Sequence, residues 1–273
     1  MNHTTLHRAP IEFSARTATS ASQILLAAAL ALVLAATGLF VNPASAQGWN
    51  FSITGFGGKT IVGSGKAVTE PRITPPFNAI SIKGAADVAI RQSNKNAVEV
   101  FADDNIAPLI TTEVQGQTLV IGFKEKTSVR TKTKLVVRVD VATLTAIGIS
   151  GSGDVTADLL KLESLDVNIS GSGDVRLNDL TAANLNVSIS GSGDFTAAGS
   201  ATKQRYAIAG SGDIRSSKLQ GTDVTVSIAG SGDASVWATG TLTGSVLGSG
   251  DIRYTGNATL NKSVLGSGSI SKL

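Results

Sequence analysis

The second half of the chain alternates apolar and polar residues in short segments, and each segment ends at the same glycine-rich tetrapeptide. Aliphatic residues stand two, four and six positions before the tetrapeptide, as Ile169, Val167 and Leu165 do, and the residues between them are small or polar. Another apolar residue, such as Val175, follows the tetrapeptide directly. A period of two is typical of a β-strand with one buried face. Each segment therefore predicts a strand, a tight turn and a second strand.

The tetrapeptide is Gly-Ser-Gly-Asp, and it recurs every 18 to 20 residues. A final copy at residues 266–269 has Ser in place of Asp. The intact copies lie at residues 151–154, 171–174, 191–194, 210–213, 230–233 and 248–251. This period is shorter than the roughly 40 residues of a propeller blade and fits one coil of a parallel β-helix. We therefore predict an all-β fold, a parallel β-helix or solenoid that is right-handed by the crossover rule for parallel strands.

The first and third residues of the tetrapeptide are predicted to be structural turn residues. Glycine permits a positive φ and a close approach of successive coils, and a corner between two strands needs both. These glycines are Gly151, Gly153, Gly171, Gly173, Gly191, Gly193, Gly210, Gly212, Gly230, Gly232, Gly248 and Gly250. Because the corners of stacked coils lie on one another, a substitution is expected to strain the neighbouring coils as well.

The aspartates of the tetrapeptide form the only repeated chemical group in the chain. They are Asp154, Asp174, Asp194, Asp213, Asp233 and Asp251. Stacked in register, like charges about 5 Å apart repel by about 1 kcal/mol per pair in water. In the favoured interpretation each carboxylate accepts hydrogen bonds from turn N–H groups and points toward solvent. In the alternative the row binds cations such as calcium, although the known calcium-binding nonapeptide places its Asp differently and recurs every nine residues.

The first residues of the chain predict a signal peptide over residues 1–46. Arg8 and Arg16 precede an apolar run at residues 24–41, and Ala44-Ser45-Ala46 is a small-residue cleavage site. An uncleaved membrane anchor is the alternative, since the run is about long enough to span a bilayer. Residues 47–71 are predicted to be a flexible glycine-rich leader.

Residues 72–273 are predicted to form one β-helix domain. Residues 72–143 are its irregular N-terminal coils, and residues 144–273 carry the Gly-Ser-Gly-Asp repeats. Residues 84–87, Gly-Ala-Ala-Asp, are a degenerate copy of the turn between two strands. Further strands are predicted at residues 98–102, 118–124 and 135–141, with a turn at residues 116–117 and a short helix within residues 103–110.

Composition excludes several classes of enzyme. The chain has no cysteine, and its only histidines, His3 and His7, lie in the predicted signal peptide. The mature chain therefore lacks the groups needed for His-dependent triads, Cys nucleophiles, usual zinc sites and disulfides. Polysaccharide lyases and hydrolases use carboxylates or a basic residue in a groove, and Arg215 or Arg253 could serve. The repeat spreads these charges evenly, so no catalytic residue and no cofactor are predicted.

The remaining motifs are weak. The basic stretch at residues 124–134 is predicted to be a solvated face, and the aromatic residues are too few for nucleic-acid stacking platforms. Residues 63–66, Gly-Ser-Gly-Lys, superficially resemble a phosphate loop but lack its first Gly and its Ser or Thr. Trp237 could be exposed for carbohydrate contact. The other large aromatics considered, Trp49, Tyr206 and Tyr254, are predicted to pack or to lie at a rim.

Several of these motifs together resemble a known family. Glu70-Pro71-Arg72, Phe77-Asn78-Ala79-Ile80, the Gly84–Val88 turn, Leu144 and the tandem Ile-Ser-Gly-Ser-Gly-Asp copies are similar to the autotransporter adhesin head domain, called the GIN domain. The resemblance covers about 200 residues. It implies an exported bacterial β-helix protein with an adhesin-like label.

The function predicted is that of a non-enzymatic, exported structural or interaction module of the periplasm or cell surface. Its repetitive polar face suits contact with a glycan polymer or another protein, and no nucleic-acid partner is predicted. Membrane contact is predicted only through the signal segment, if that segment is uncleaved. A periplasmic scaffold and a carbohydrate-active enzyme are the alternatives. The unpaired edge of the last coil predicts a homo-oligomer or a cap from a neighbour.

Overall fold

The computed structural model describes residues 60–273, of which 69% lie in β-strands, with a single 3₁₀ turn at Ala107–Leu109 in this part of the chain. The strands are β1 Thr60–Val62, β2 Ala67–Arg72, β3 Ala79–Gly84, β4 Asp87–Gln92, β5 Ala97–Asp103, β6 Ile110–Gln115, β7 Thr118–Phe123, β8 Ser128–Arg130, β9 Val136–Val141, β10 Ala146–Gly151, β11 Val155–Ala157, β12 Leu160–Lys161, β13 Ser164–Gly171, β14 Val175–Gly191, β15 Phe195–Gly210, β16 Ile214–Gly230, β17 Ala234–Gly248, β18 Ile252–Thr255, β19 Thr259–Gly266 and β20 Ile270–Lys272. The predicted strands, turn and short helix before the repeats are all present.

From β10 onward the chain winds as a solenoid of about six stacked turns. All strand pairs within this part are parallel, and the sequence repeat sets their register. Gly151 pairs with Gly171, and Gly171 pairs with Gly191, so every corner lies on the corner before it. The predicted all-β solenoid is therefore confirmed. Its right-handed sense stays a prediction.

The alternating aliphatic residues fill the inside of the coils. One inward column runs through Ile149, Ile169, Ile189, Ile208, Ile228 and Val246, all buried. Branched side chains fit a pleated surface, and burying each of them contributes roughly 1.5–3 kcal/mol. From Ile147 to Val226 the next column carries one polar atom, the hydroxyl of Tyr206, which donates to Gln204 Oε1 at 2.9 Å. The Gln204 amide donates in turn to the Ala201 and Leu219 carbonyls, so this buried pair is satisfied.

The sequence predicts irregular coils over the whole of residues 72–143, but the strands before β10 form coils over only part of this range. Strands β3 and β4 stack in parallel on β10 and β11 and form one coil, and β7 and β9 stack in parallel on β3 and β4. However, β5 runs antiparallel to β9, and β6 runs antiparallel to β7. The two-residue turn at Gly116 and Gln117 is the reason for the β6–β7 pair, because so short a connection can only join antiparallel strands.

The predicted flexible leader is also wrong for residues 60–71, which carry two paired strands. Strand β1 pairs with β8, and β2 pairs antiparallel with β5. The physical reason is the alternation in β2, where Val68, Glu70 and Arg72 are partly buried and the Arg72 guanidinium donates to the Ala107 carbonyl at 2.7 Å. Residues 47–59, including Trp49, and the predicted signal peptide lie outside the described residues.

One buried carboxylate fixes these N-terminal strands. Asp103 has no exposed surface and accepts hydrogen bonds from the amides of Gly65 at 2.7 Å, Lys132 at 2.9 Å and Thr133 at 3.2 Å. Loss of solvation raises the pKa of Asp103, but the hydrogen bonds from these amides together lower it by more, so the pKa lies below its usual value. The amides of the phosphate-loop-like stretch are therefore bound by side chains of the protein itself, Gly65 by the Asp103 carboxylate and Ser64 by the neutral Asn105 side chain.

The last coil is the most exposed part of the solenoid. Val264, Leu265 and Leu273 expose 39%, 70% and 65% of their surface. Lys262 stands at the end of the column that contains Tyr206, paired in register with Gly244. The oligomer predicted from this edge stays a prediction.

Candidate functional site

The corner glycines are explained by how closely successive coils approach. Gly171 has a φ of +136°, and a Cβ on it would collide with the carbonyl oxygen of Gly151. Gly173 has no positive φ, but its Cβ would collide with the Gly153 carbonyl and stand 3.0 Å from Ile149 Cγ2. A positive φ is therefore needed only at the first glycine of each copy, whereas the close approach requires glycine at both positions.

The corner aspartates supply an acceptor that the turning backbone lacks. The Asp174 amide donates to Asp154 Oδ1 at 2.9 Å, and the Asp174 carbonyl accepts from the Val155 amide at 2.8 Å. The same side-chain bond joins each later coil to the one before it and ends at the Ser269 amide on Asp251. Asp87 of the degenerate first copy also takes part, accepting from the Asp154 amide at 3.2 Å. Each carboxylate thus replaces a carbonyl in the ladder.

Two arginines that follow the corners, Arg215 and Arg253, offset the charge of this row, whereas Arg176 forms no ion pair within the described residues. Position two after the corner aspartate is Arg176, Arg215 and Arg253 in alternate coils and Thr or Ser in the coils between. Arg215 pairs with Oδ2 of Asp194 and, at 2.8 Å, with Oδ2 of Asp213. Arg253 bridges Asp233 and Asp251 in the same way, at 3.5 Å and 3.0 Å. Pairing with Asp194 raises the pKa of Arg215, so the ion pair holds over the whole physiological range.

This arrangement bears on the two interpretations of the aspartate row. For Asp194, one oxygen accepts an amide and the other an arginine, so both are engaged within the protein. Within residues 60–273, no group of three or more His, Cys, Asp or Glu residues is placed to hold a metal ion. The geometry therefore favours the hydrogen-bonding interpretation. It also places Arg215 and Arg253 in ion pairs rather than as free bases in a groove.

The outward residues of the strands before the corners form a second repeated surface, here called the polar face. Its columns are Asp166–Asn186–Arg205–Thr225–Thr243, Asn168–Ser188–Ala207–Ser227–Ser245 and Ser170–Ser190–Ala209–Ala229–Leu247. Members of a column are paired across parallel strands, so they repeat at the strand spacing of about 4.8 Å. Most of these side chains are short, and the face is consequently even.

Part of the polar face is a shallow depression of about 370 Å³. Its floor holds the short side chains of Ala146, Ser188 and Ala207, and charged residues of opposite sign, Asp166 and Arg205, line it as well. The Asn186 amide donates to Asp166 Oδ1 at 2.7 Å, which fixes one wall. Hydroxyls, amides and one charge of each sign can donate and accept hydrogen bonds but provide no nucleophile and base in contact.

The other candidates from the sequence lie apart from this face. Trp237 is partly buried and lines a separate hollow with Ser217 and Asn257, while Tyr206 is fully buried and Tyr254 partly buried. The basic side chains of residues 124–134 are all exposed, as predicted. In the described part of the chain, no helix is long and apolar enough to cross a membrane.

Comparison with known families gives a direct match. The model described as "Putative auto-transporter adhesin, head GIN domain" matches residues 76–258, about two thirds of the chain. The chain belongs to the GIN-domain family. The resemblance stated from the corner motif and the leading Phe77 segment is therefore confirmed. No match was found among curated proteins.

Solved structures resemble this GIN-domain chain along their whole length. A "putative adhesin" from Bacteroides fragilis is 30% identical, has a TM-score of 0.75, and is covered over 100% of its chain and 78% of this one. A "putative adhesin" from Parabacteroides merdae is 28% identical, with a TM-score of 0.64 and coverage of 99% and 78%. A "putative lipid binding protein" from Parabacteroides distasonis is 28% identical, with a TM-score of 0.68 and coverage of 100% and 79%. Relatives of this GIN domain are thus named mainly as adhesins.

Two features of the structure were missed in the sequence. Asp103 looks like an ordinary strand-end aspartate, and only its three amide donors reveal its part in the fold. The alternation of arginine after the corner aspartates is visible in the printed sequence once the copies are aligned, and alignment by corner would have found it.

Proposed function

We propose that this GIN-domain protein is an exported, non-enzymatic interaction module whose polar face binds a repeating polymer, either a glycan or an extended protein chain. The regular register of the polar face carries the proposal. A polymer whose units recur along the stack meets equivalent hydroxyl and amide groups on successive coils. Individually weak contacts then add through effective concentration.

Three further observations support this assignment. The family and its structural neighbours carry adhesin names. Arg215 and Arg253 are each engaged by two corner aspartates, which supports a stabilising rather than a catalytic role for these charges. The predicted signal peptide supports export. A periplasmic scaffold differs from a surface adhesin in location and partner, not in the face used.

The binding experiment compares the wild-type chain with Ser188→Arg on arrays of bacterial and host glycans and on immobilised envelope proteins. Arginine at position 188 fills the depression in the polar face, and the expected result is loss of the bound signal. Thr181→Arg is the matched control, since it adds the same charged side chain at an exposed position of β14 outside the depression. If Ser188→Arg binds as well as Thr181→Arg and wild type, the polar face is excluded as the binding surface.

Location is tested by protease accessibility of the native protein on intact and permeabilised cells. Cleavage on intact cells supports a surface adhesin. Protection until the outer membrane is opened supports a periplasmic module, and the search for partners then turns to envelope proteins and cell-wall polymers. Turnover of a polysaccharide by the pure protein would establish the enzyme alternative instead.

A further inference from the structure

A second concave site lies away from the polar face, on the outward side of the sheet formed by β5, β9 and β4. It is a cavity of about 620 Å³, within the usual range for small-ligand pockets. The neighbouring residues of its floor come from three strands in register, with Ala97 beside Asp140 and Asp140 beside Arg91. The next row places Glu99 beside Arg138 and Arg138 beside Ala89.

The floor is low because Ala89 and Ala97 are small, while their neighbours on each row carry long side chains. One wall is rigid, since Arg91 and Asp140 form a two-point ion pair with N–O distances of 2.9 and 2.6 Å. The planar geometry of such a pair holds both side chains in one arrangement. The cavity is therefore shaped before any ligand enters, which reduces the entropy lost on binding.

Arg138 and Glu99 supply the open hydrogen-bonding groups of the cavity. The Arg138 guanidinium lies over the Phe101 ring at 5.7 Å, which restrains its position. Within residues 60–273, neither Arg138 nor Glu99 forms an ion pair, although they face each other across β9 and β5. The Arg138 guanidinium can donate hydrogen bonds to one hydroxyl of a ligand, and the Glu99 carboxylate, one strand away, can accept a hydrogen bond from the adjacent hydroxyl.

The rim adds an exposed apolar side chain. Leu159 lines the cavity and exposes 46% of its surface, and the equivalent position in the next coil is Asp179, one residue before the paired Leu160 and Leu180. The replacement of a polar residue by leucine thus occurs in the coil that borders the cavity. The charged lining residues are Arg91 and Arg138 against Glu99, Asp140 and Asp158, so their formal net charge is only −1.

We propose that this cavity binds a neutral saccharide unit, with Arg138 and Glu99 bonding to neighbouring hydroxyls and Leu159 packing on the apolar face of the sugar ring. A polyanion is disfavoured by the three carboxylates and a simple hydrocarbon chain by the five charged groups. The site is separate from the polar face, and the proposal does not depend on the function assigned to that face.

The test is titration of the full chain with uncharged methyl glycosides of glucose, galactose and mannose and with N-acetylglucosamine, followed by calorimetry or ligand-observed NMR. At least one of these sugars is expected to bind with a millimolar dissociation constant. Ala97→Phe fills the floor and Leu159→Asp restores the residue type of the next coil, and each is expected to weaken binding by about tenfold or more.

Two controls keep the result decisive. Ala183→Phe makes the same change as Ala97→Phe at an exposed position of β14 that lies outside both the cavity and the polar face, and it should leave the affinity unchanged. Far-ultraviolet circular dichroism checks that all variants fold. The proposal is overturned if none of the sugars binds the wild-type chain at millimolar concentration, if both cavity variants bind like wild type, or if phosphatidylcholine vesicles bind and compete with every sugar.

Discussion

Replacing Asp194 by alanine and by asparagine separates the two roles of a corner carboxylate. Asp194 Oδ1 accepts the Asp213 amide at 2.9 Å, and Oδ2 pairs with Arg215. Alanine leaves the partly buried amide without an acceptor, which costs about 1–3 kcal/mol. It also removes a largely exposed ion pair, which is worth about 1 kcal/mol at most, while Arg215 keeps its bond to Asp213. The expected total is about 1–4 kcal/mol.

Asparagine at the same position keeps the acceptor oxygen and removes only the charge. The lost pairing with Arg215 is offset by weaker repulsion from the neighbouring carboxylates, so the expected change lies within about 1 kcal/mol of wild type. For a domain of this size, each kcal/mol corresponds to about 2–4 °C in Tm. The alanine variant should therefore melt roughly 2–16 °C lower than wild type and the asparagine variant within about 4 °C of it.

The assay is thermal and urea denaturation of the full chain, followed by far-ultraviolet circular dichroism. Asp223→Ala and Asp223→Asn are the matched controls, since Asp223 is an exposed aspartate outside the row. If the asparagine variant loses as much stability as the alanine variant, the carboxylate acts through its charge and the acceptor role is refuted. An unchanged alanine variant would refute both roles.

Further predictions concern the corner, the core and the N-terminal strands. Gly193→Ala should cost about 1–3 kcal/mol in urea denaturation because its Cβ collides with the coil beneath, whereas Ser192→Ala at the exposed corner tip should be neutral. Tyr206→Phe leaves Gln204 Oε1 without its buried donor and should cost about 1–3 kcal/mol; an unchanged urea midpoint would contradict the hydrogen bond. The lowered pKa of Asp103 gives stability that is present above its unfolded pKa and is lost as pH falls through the folded pKa. Asp103→Asn should therefore be less stable near neutral pH and show a weaker loss in acid; parallel acid titrations of the two proteins would reveal this.

The solenoid could be predicted from the sequence because its contacts repeat with the chain. Each corner packs on the equivalent corner one coil away. A local pattern such as Ile169 before Gly171 therefore also predicts the tertiary contacts of these residues with their equivalents in the next coil. The earlier strands lack this property. Strand β2 pairs with β5, and the Gln92 side chain exchanges two hydrogen bonds with the Lys161 backbone, at 2.9 and 2.7 Å. Such single pairings leave no periodic trace.

The candidate sites divide in the same way. The glycines and aspartates of the corners could be predicted because they recur, whereas their partners could not, since the acceptor role of Asp154 depends on the amide of the next coil. The cavity near Arg138 was not predicted, because it requires β9, which is distant in sequence, to lie between Ala89 of β4 and Ala97 of β5.

The alternation of arginine with Thr or Ser after the corner gives the solenoid two different periods. The backbone repeats with every coil, but the charge pattern repeats with every second coil. Deleting or duplicating one coil would preserve the strand register and place two arginine-free coils, or two arginine-bearing coils, side by side. Adding or removing two coils would preserve both periods. An insertion or deletion of two coils is therefore expected to be tolerated more readily than an insertion or deletion of one coil.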